Sequence, residues 1–175
     1  EPGAAGAGGA GRGRSPTPSP VPYADYPNPD ASPVTMRLQS GGAAQGSLGL
    51  TVAAKQGSEK LTDDVQFGGP ALAKAEQSPN RLLYATPVLT EPVHLSGYAK
   101  ITIRLASSKP AANLSVWLVV LPWTDGPLSP AHLITPGWAD PPNHASLQEG
   151  GDYHSRTRGA PLAPGRLTSR PVRLQ

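Results

Sequence analysis

Lys100-Ile101-Thr102-Ile103-Arg104-Leu105 and Asn113-Leu114-Ser115-Val116-Trp117-Leu118-Val119-Val120-Leu121 decide the fold. In the first stretch Ile101, Ile103 and Leu105 alternate with polar residues. Side chains of a strand point alternately to its two faces, so this period of two predicts a strand with one buried face. In the second, Leu114, Val116, Leu118 and Val120 face one way, while Trp117, Val119 and Leu121 occupy the other face. Apolar residues on both faces predict a strand covered on both sides.

Working outward, Val34-Thr35-Met36-Arg37-Leu38-Gln39 alternates and is stopped by Gly41-Gly42, and Leu48–Val52 is a further short candidate. Thr62-Asp63-Asp64 offers a cap, and Ala71–Glu76 has length for one or two helical turns before Ser78-Pro79-Asn80. Arg81–Leu89 is β-rich although interrupted by Pro87, and Val93-His94-Leu95-Ser96 leads into Gly97. His132-Leu133-Ile134-Thr135 predicts a strand ending before Gly137-Trp138. Leu167–Leu174 alternates weakly and is broken by Pro171. Seven or eight short strands with almost no helix predict an all-β fold, an antiparallel β-sandwich over residues 34–175.

Residues 1–33 differ from the rest. They hold eight Pro, six Gly and almost no large apolar side chain. Such a segment buries too little surface to offset backbone ordering, which costs about 1–2 kcal/mol per residue, and is expected to be a disordered tail or linker. Within it Ser15-Pro16-Thr17-Pro18-Ser19-Pro20 suits polyproline II. A linker explains that composition without invoking a Pro-binding partner.

The net charge is +3, but its distribution argues against nucleic acid as a partner. Residues 15–150 carry −2. The basic balance comes from Arg156, Arg158, Arg166, Arg170 and Arg173, without interleaved aromatics, rather than from a basic folded face. The chain has no Cys, which removes disulfides and thiolate metal sites. No apolar run approaches the ~18 residues of a membrane span, and no leader pattern is visible at the N-terminus. Because the chain opens at Glu1 rather than Met, it is read as a fragment or a processed product.

A search for chemistry finds no catalytic, cofactor or metal constellation. No serine is flanked by glycines two positions away on both sides. Ser47 comes nearest, with Gly49 after it but Gln45 before it. His94, His132, His144 and His154 show no zinc-site spacing. His144, close to Asp140, is the one candidate base, yet no nucleophile accompanies it. Asp63 and Asp64 are adjacent and suit capping better than paired acid–base work. Asn113-Leu114-Ser115 matches a glycosylation triplet by length alone. Trp117 reads as core. Trp123 and Trp138 fall at strand ends, where exposed indoles would serve a sugar site or an interdomain contact.

Ser78-Pro79-Asn80-Arg81-Leu82-Leu83-Tyr84-Ala85-Thr86-Pro87, Leu105–Leu114, Leu121-Pro122-Trp123 and Ile134-Thr135-Pro136-Gly137-Trp138-Ala139-Asp140-Pro141 together resemble the C-terminal domain of bacterial Xaa-Pro dipeptidyl-peptidases, the actinobacterial type above all, relatives of the cocaine esterase and acyl-ester hydrolase family. The likeness is strongest over residues 78–147. It implies a larger enzyme whose α/β-hydrolase domain carries a Ser-Asp-His triad and releases Xaa-Pro dipeptides, with the present region as an accessory, antiparallel jelly-roll-like β-sandwich packed on that domain. It also implies no catalytic residue at any matching position, no cofactor, and secretion, with a cytoplasmic location as the alternative. Residues 148–158 and the Gly/Ala/Arg-rich start depart from the pattern, and the family continues beyond Gln175, so a truncated frame, an incomplete sandwich and self-association are expected. A stand-alone carbohydrate-binding β-sandwich, resting on Trp123 and Trp138, is the alternative.

Overall fold

A computed structural model describes residues 22–52, 55–123, 132–153 and 159–174. The fold is all-β, in three open sheets accompanied by one short helix and one 3-10 segment. β1 (Arg37–Leu38), β2 (Gly46–Gly49) and β3 (Tyr84–Ala85) form one sheet. β4 (Lys100–Leu105) pairs with β7 (Thr168–Arg173), and β5 (Leu114–Val119) pairs with β6 (Leu133–Ala139). Helix α1 spans Gly69–Lys74, shifted two residues towards the N-terminus from the expected Ala71–Glu76 because Gly69-Pro70 supplies its first turn, and the 3-10 segment spans Pro141–Ser146.

β4 realises its sequence pattern residue for residue. Lys100, Thr102 and Arg104 are exposed, while Ile101, Ile103 and Leu105 are partly buried. Its partner was partly hidden by Pro171, which the sequence reading treats as a break. The strand runs through it, with Thr102 opposite Pro171. β7 is an outer strand of a two-stranded ladder, so a residue lacking an N–H forfeits no bond there if that position faces away from β4.

Two further expectations change. β6 continues past Thr135 through Pro136 and Gly137 to Ala139, in register with β5 from Leu114↔Ala139 to Val119↔Leu133. Val93–Ser96, a strand candidate by its alternating Val93 and Leu95, forms no strand. The expected antiparallel pairing holds for β1–β2, β4–β7 and β5–β6, whereas β2 and β3 run parallel, with Gly46 opposite Tyr84. A parallel neighbour requires a long crossover, and residues 50–83, with α1 inside them, supply it.

The sheets meet where β6 passes the end of β7. Gly137 bridges Leu174, and a Cβ on Gly137 would stand 2.6 Å from the Arg173 carbonyl oxygen. Only glycine lets the two backbones approach so closely. Ala139, Val172 and Leu174 are buried beside this crossing, and Trp123 and Leu162 are buried core residues as well. The β1–β3 sheet reaches the rest through α1, whose Gly69 lies against the Trp117 indole of β5. Residues 23–28, within the segment read as tail, lie along residues 94–98. The Asn28 N–H donates to Ser96 Oγ at 2.8 Å, and the Tyr26 hydroxyl donates to the Gly97 carbonyl at 3.1 Å.

Candidate functional site

The candidate residues do not converge. Ser47 sits exposed on β2 opposite Ala85, on a ladder rather than a strand–turn–helix elbow. His94 is exposed and its Nδ1 lies 2.7 Å from the Tyr23 hydroxyl. His144 lies in the 3-10 segment, but Asp140 does not orient it: Asp140 Oδ2 accepts the Asn143 side-chain amide at 2.7 Å. Burial, aided by the nearby Arg170 guanidinium, lowers the His144 imidazole below its usual value, and its Nδ1 is buried without a hydrogen bond. Asp64 accepts the Gln66 N–H in a local turn, but α1 begins after Gly68 with no side-chain cap, so neither Asp63 nor Asp64 caps it. His154 and the arginines 156 and 158 lie outside the described residues. Among the described residues, no group of three His, Asp or Glu side chains gathers as for a metal ion.

The tryptophans divide differently from expectation. Trp123 is 5% exposed, 6.2 Å from the Trp117 ring and stacked on His132 at 5.4 Å. It is core and offers no platform to a ligand, which corrects its reading as a surface residue. Trp117 is half-buried, and its Nε1 donates to Ser115 Oγ. Trp138 is 54% exposed and stands on the outer face of β6 between buried Gly137 and Ala139.

A buried polar network fixes the β1–β3 sheet. The Arg81 guanidinium donates from Nε to the Leu72 carbonyl, from Nη1 to those of Gly42 and Ala44, and from Nη2 to that of Ala75. It thereby ties the 41–44 turn to the C-terminal end of α1, where the helix dipole favours a cation. Burial lowers its pKa from the ordinary guanidinium value. Beside it Glu59 Oε1 accepts the Gly41 and Gly42 N–H groups, and Oε2 accepts the Tyr84 hydroxyl. Burial alone raises Glu59, but these three bonds outweigh it and leave the carboxyl lowered. Tyr84 is raised, by burial first and then by Glu59. These groups hold one another and no substrate atom. Their separation in sequence leaves no spacing signal by which to find them.

Two surface features remain. The first is an apolar strip: Val88 (92% exposed), Leu89, Val93 and Leu95 project from an irregular segment, and Tyr23 and Tyr26 lie alongside it. Tyr26 meets Tyr98 edge-on at 5.7 Å. The second is a pair of clefts on either side of Arg173. One, of about 350 Å³, is lined by Asn113, Trp138, Asp140, Asp152 and Tyr153. The other, of about 300 Å³, is lined by Tyr98 and Lys100.

A family model described as the X-Pro dipeptidyl-peptidase C-terminal non-catalytic domain matches residues 6–175, which takes in both the Gly/Ala/Arg-rich start from residue 6 and residues 148–158. A protein of Rhodopirellula baltica with the provisional name Xaa-Pro dipeptidyl-peptidase is 42% identical over 147 residues, 83% of this chain and 22% of that protein. Similarly named proteins of Bacillus anthracis and Bacillus cereus are 30% identical over 137 residues, 74% of this chain and 22% and 23% of theirs. The chain thus spans under a quarter of the length of these relatives. No solved structure matches. With a family description covering nearly every residue and an all-β fold beneath it, this chain belongs to the X-Pro dipeptidyl-peptidase C-terminal non-catalytic domain family.

Proposed function

We propose that this domain serves a secreted serine hydrolase that releases Xaa-Pro dipeptides, packing on its α/β-hydrolase domain and framing the entrance to the site without taking part in bond cleavage. The strip of Val88, Leu89, Val93 and Leu95 flanked by Tyr23 and Tyr26 carries this proposal. Contiguous apolar surface is costly to leave in water, and aromatic side chains are the usual anchors of interfaces. The occupant fitting it is the catalytic portion that makes up the rest of a protein about the length of the relatives. The two flanking tyrosines are already held, Tyr23 by His94 and Tyr26 by Gly97, so docking would not have to order them.

Hydrogen exchange tests this in the full-length parent enzyme. Amides of residues 88–98 should exchange at least tenfold more slowly there than in the isolated chain, and the quadruple variant V88S/L89S/V93S/L95S should lose that protection. Equal exchange in both settings would contradict the docking assignment. Fractionation of culture medium against cells checks the secretion.

A further inference from the structure

We propose that the clefts flanking Arg173 form one saccharide-binding groove, with Trp138 as its stacking platform. The platform is rigid. Trp138 lies in the β5–β6 ladder opposite Ser115, with its neighbours in β6 buried, so its indole stands out from a fixed backbone. A large aromatic surface left in water on a fixed strand is what the apolar face of a sugar ring covers.

The polar groups around it are only partly used. Asp140 spends one carboxylate oxygen on Asn143. Arg173 donates Nη1 to the Gly150 carbonyl at 2.7 Å and lies 4.0 Å over the Tyr98 ring, which fixes its position while leaving other N–H groups to donate. Asp152 and Tyr153 are brought in by a tight turn. Leu147 bridges Tyr153, the Gln148 N–H donates to the Asp152 carbonyl, and Gly151 adopts φ +95°, a conformation natural to glycine. The outcome is an indole ringed by acceptors and donors at the edge of a half-open cleft.

The composition selects the ligand class. Across the two clefts Asp140, Asp152 and Glu149 outnumber Arg173 and Lys100, which disfavours a polyanion, and these charged groups at the edge of mostly apolar walls disfavour a purely aliphatic ligand. A neutral, hydroxyl-rich ligand satisfies both the indole and the rim. The second cleft shares Gly151 and Arg173 with the first and has Tyr98 beside it, so the groove offers two neighbouring sites to a chain of sugars. Each cleft lies near the lower end of the sizes that take small molecules, about 300–1,000 Å³.

Native affinity electrophoresis of the chain in gels containing xylan, galactan, laminarin or hydroxyethylcellulose tests the assignment. Migration should be slowed in at least one of the four. Trp138→Ala should abolish the retardation, Trp138→Tyr should retain part of it, and Asp152→Asn should weaken binding about tenfold, with near-ultraviolet circular dichroism of each variant unchanged. Val88→Ser, on the docking strip, should leave retardation intact, so failure of the docking assignment and failure of this one are separable. Unretarded migration in all four gels, or retardation that survives Trp138→Ala, would overturn the proposal. So would quenching of tryptophan fluorescence by a Ser-Pro repeat peptide but by none of the saccharides, which would make the groove a peptide site.

Discussion

The Tyr84 hydroxyl donates to Glu59 Oε2 at 2.7 Å, and the other oxygen of that carboxylate takes the N–H groups of Gly41 and Gly42 at 2.8 Å. This cluster sets how the β1–β3 sheet responds to pH. Glu59 is lowered when folded, so its contribution is complete above the ordinary carboxyl value and is lost as pH falls through the lowered folded value. Tyr84 is raised, so its contribution is complete below the ordinary phenol value and is lost as pH climbs towards the raised one. Thermal melts should show both flanks. Tyr84→Phe should remove the alkaline flank, and Glu59→Ala should remove the acid one while costing about 1 kcal/mol, at the low end because solvent reaches the carboxylate.

Arg81 hydrogen-bonds carbonyls of both the 41–44 turn and the C-terminal end of α1. Its replacement by Ala leaves several carbonyls unpaired and should cost about 3 kcal/mol or more in urea unfolding. Arg81→Lys should recover little of this, because an ammonium cannot reproduce a planar fork that reaches carbonyls on both segments. Full recovery by Lys would show that charge alone matters there.

Gly137 should be intolerant of a methyl group. A Cβ there meets the Arg173 carbonyl at 2.6 Å, backbone that cannot swing aside, so Gly137→Ala should lower stability by about 1–3 kcal/mol. Gly57, with nothing within 4 Å of its added Cβ, is the control, and Gly57→Ala should be neutral.

What the sequence revealed divides along the line between local and distant interactions. β4 was legible because alternation is a local property and one face of that strand is buried. β5 and the first part of β6 were legible because a short apolar run is equally local, in β5 with apolar residues on both faces. β7 was obscured because Pro171 reads as a breaker unless the neighbour on its open side is known to be absent. The parallel β2–β3 pairing depends on a crossover whose path no local pattern encodes. Trp123 and Trp138 looked alike at strand ends, yet one is core and the other stands in solvent, since burial there is decided by His132 and Trp117 on one side and open space on the other. The Arg81 and Glu59 networks and the Arg173 clefts join residues dozens of positions apart and carried no sequence signature.

His144 should titrate below the ordinary imidazole value, being disfavoured as a cation by burial and by Arg170. Its neutral form stabilises the fold fully above the ordinary value, and that stability is lost as pH falls through the lowered folded value. Nuclear magnetic resonance of the ring protons checks the midpoint, and Arg170→Gln should move it upward.

The exposed strip predicts that the isolated chain self-associates. Sedimentation velocity should show oligomers growing with concentration, and V88S/L89S/V93S/L95S should restore the monomer.

The most direct test of the non-catalytic assignment is turnover of Ala-Pro-p-nitroanilide by the purified chain. Release of p-nitroaniline should equal that of buffer alone. Release that scales with chain concentration, after contaminating proteases have been removed, would contradict the account.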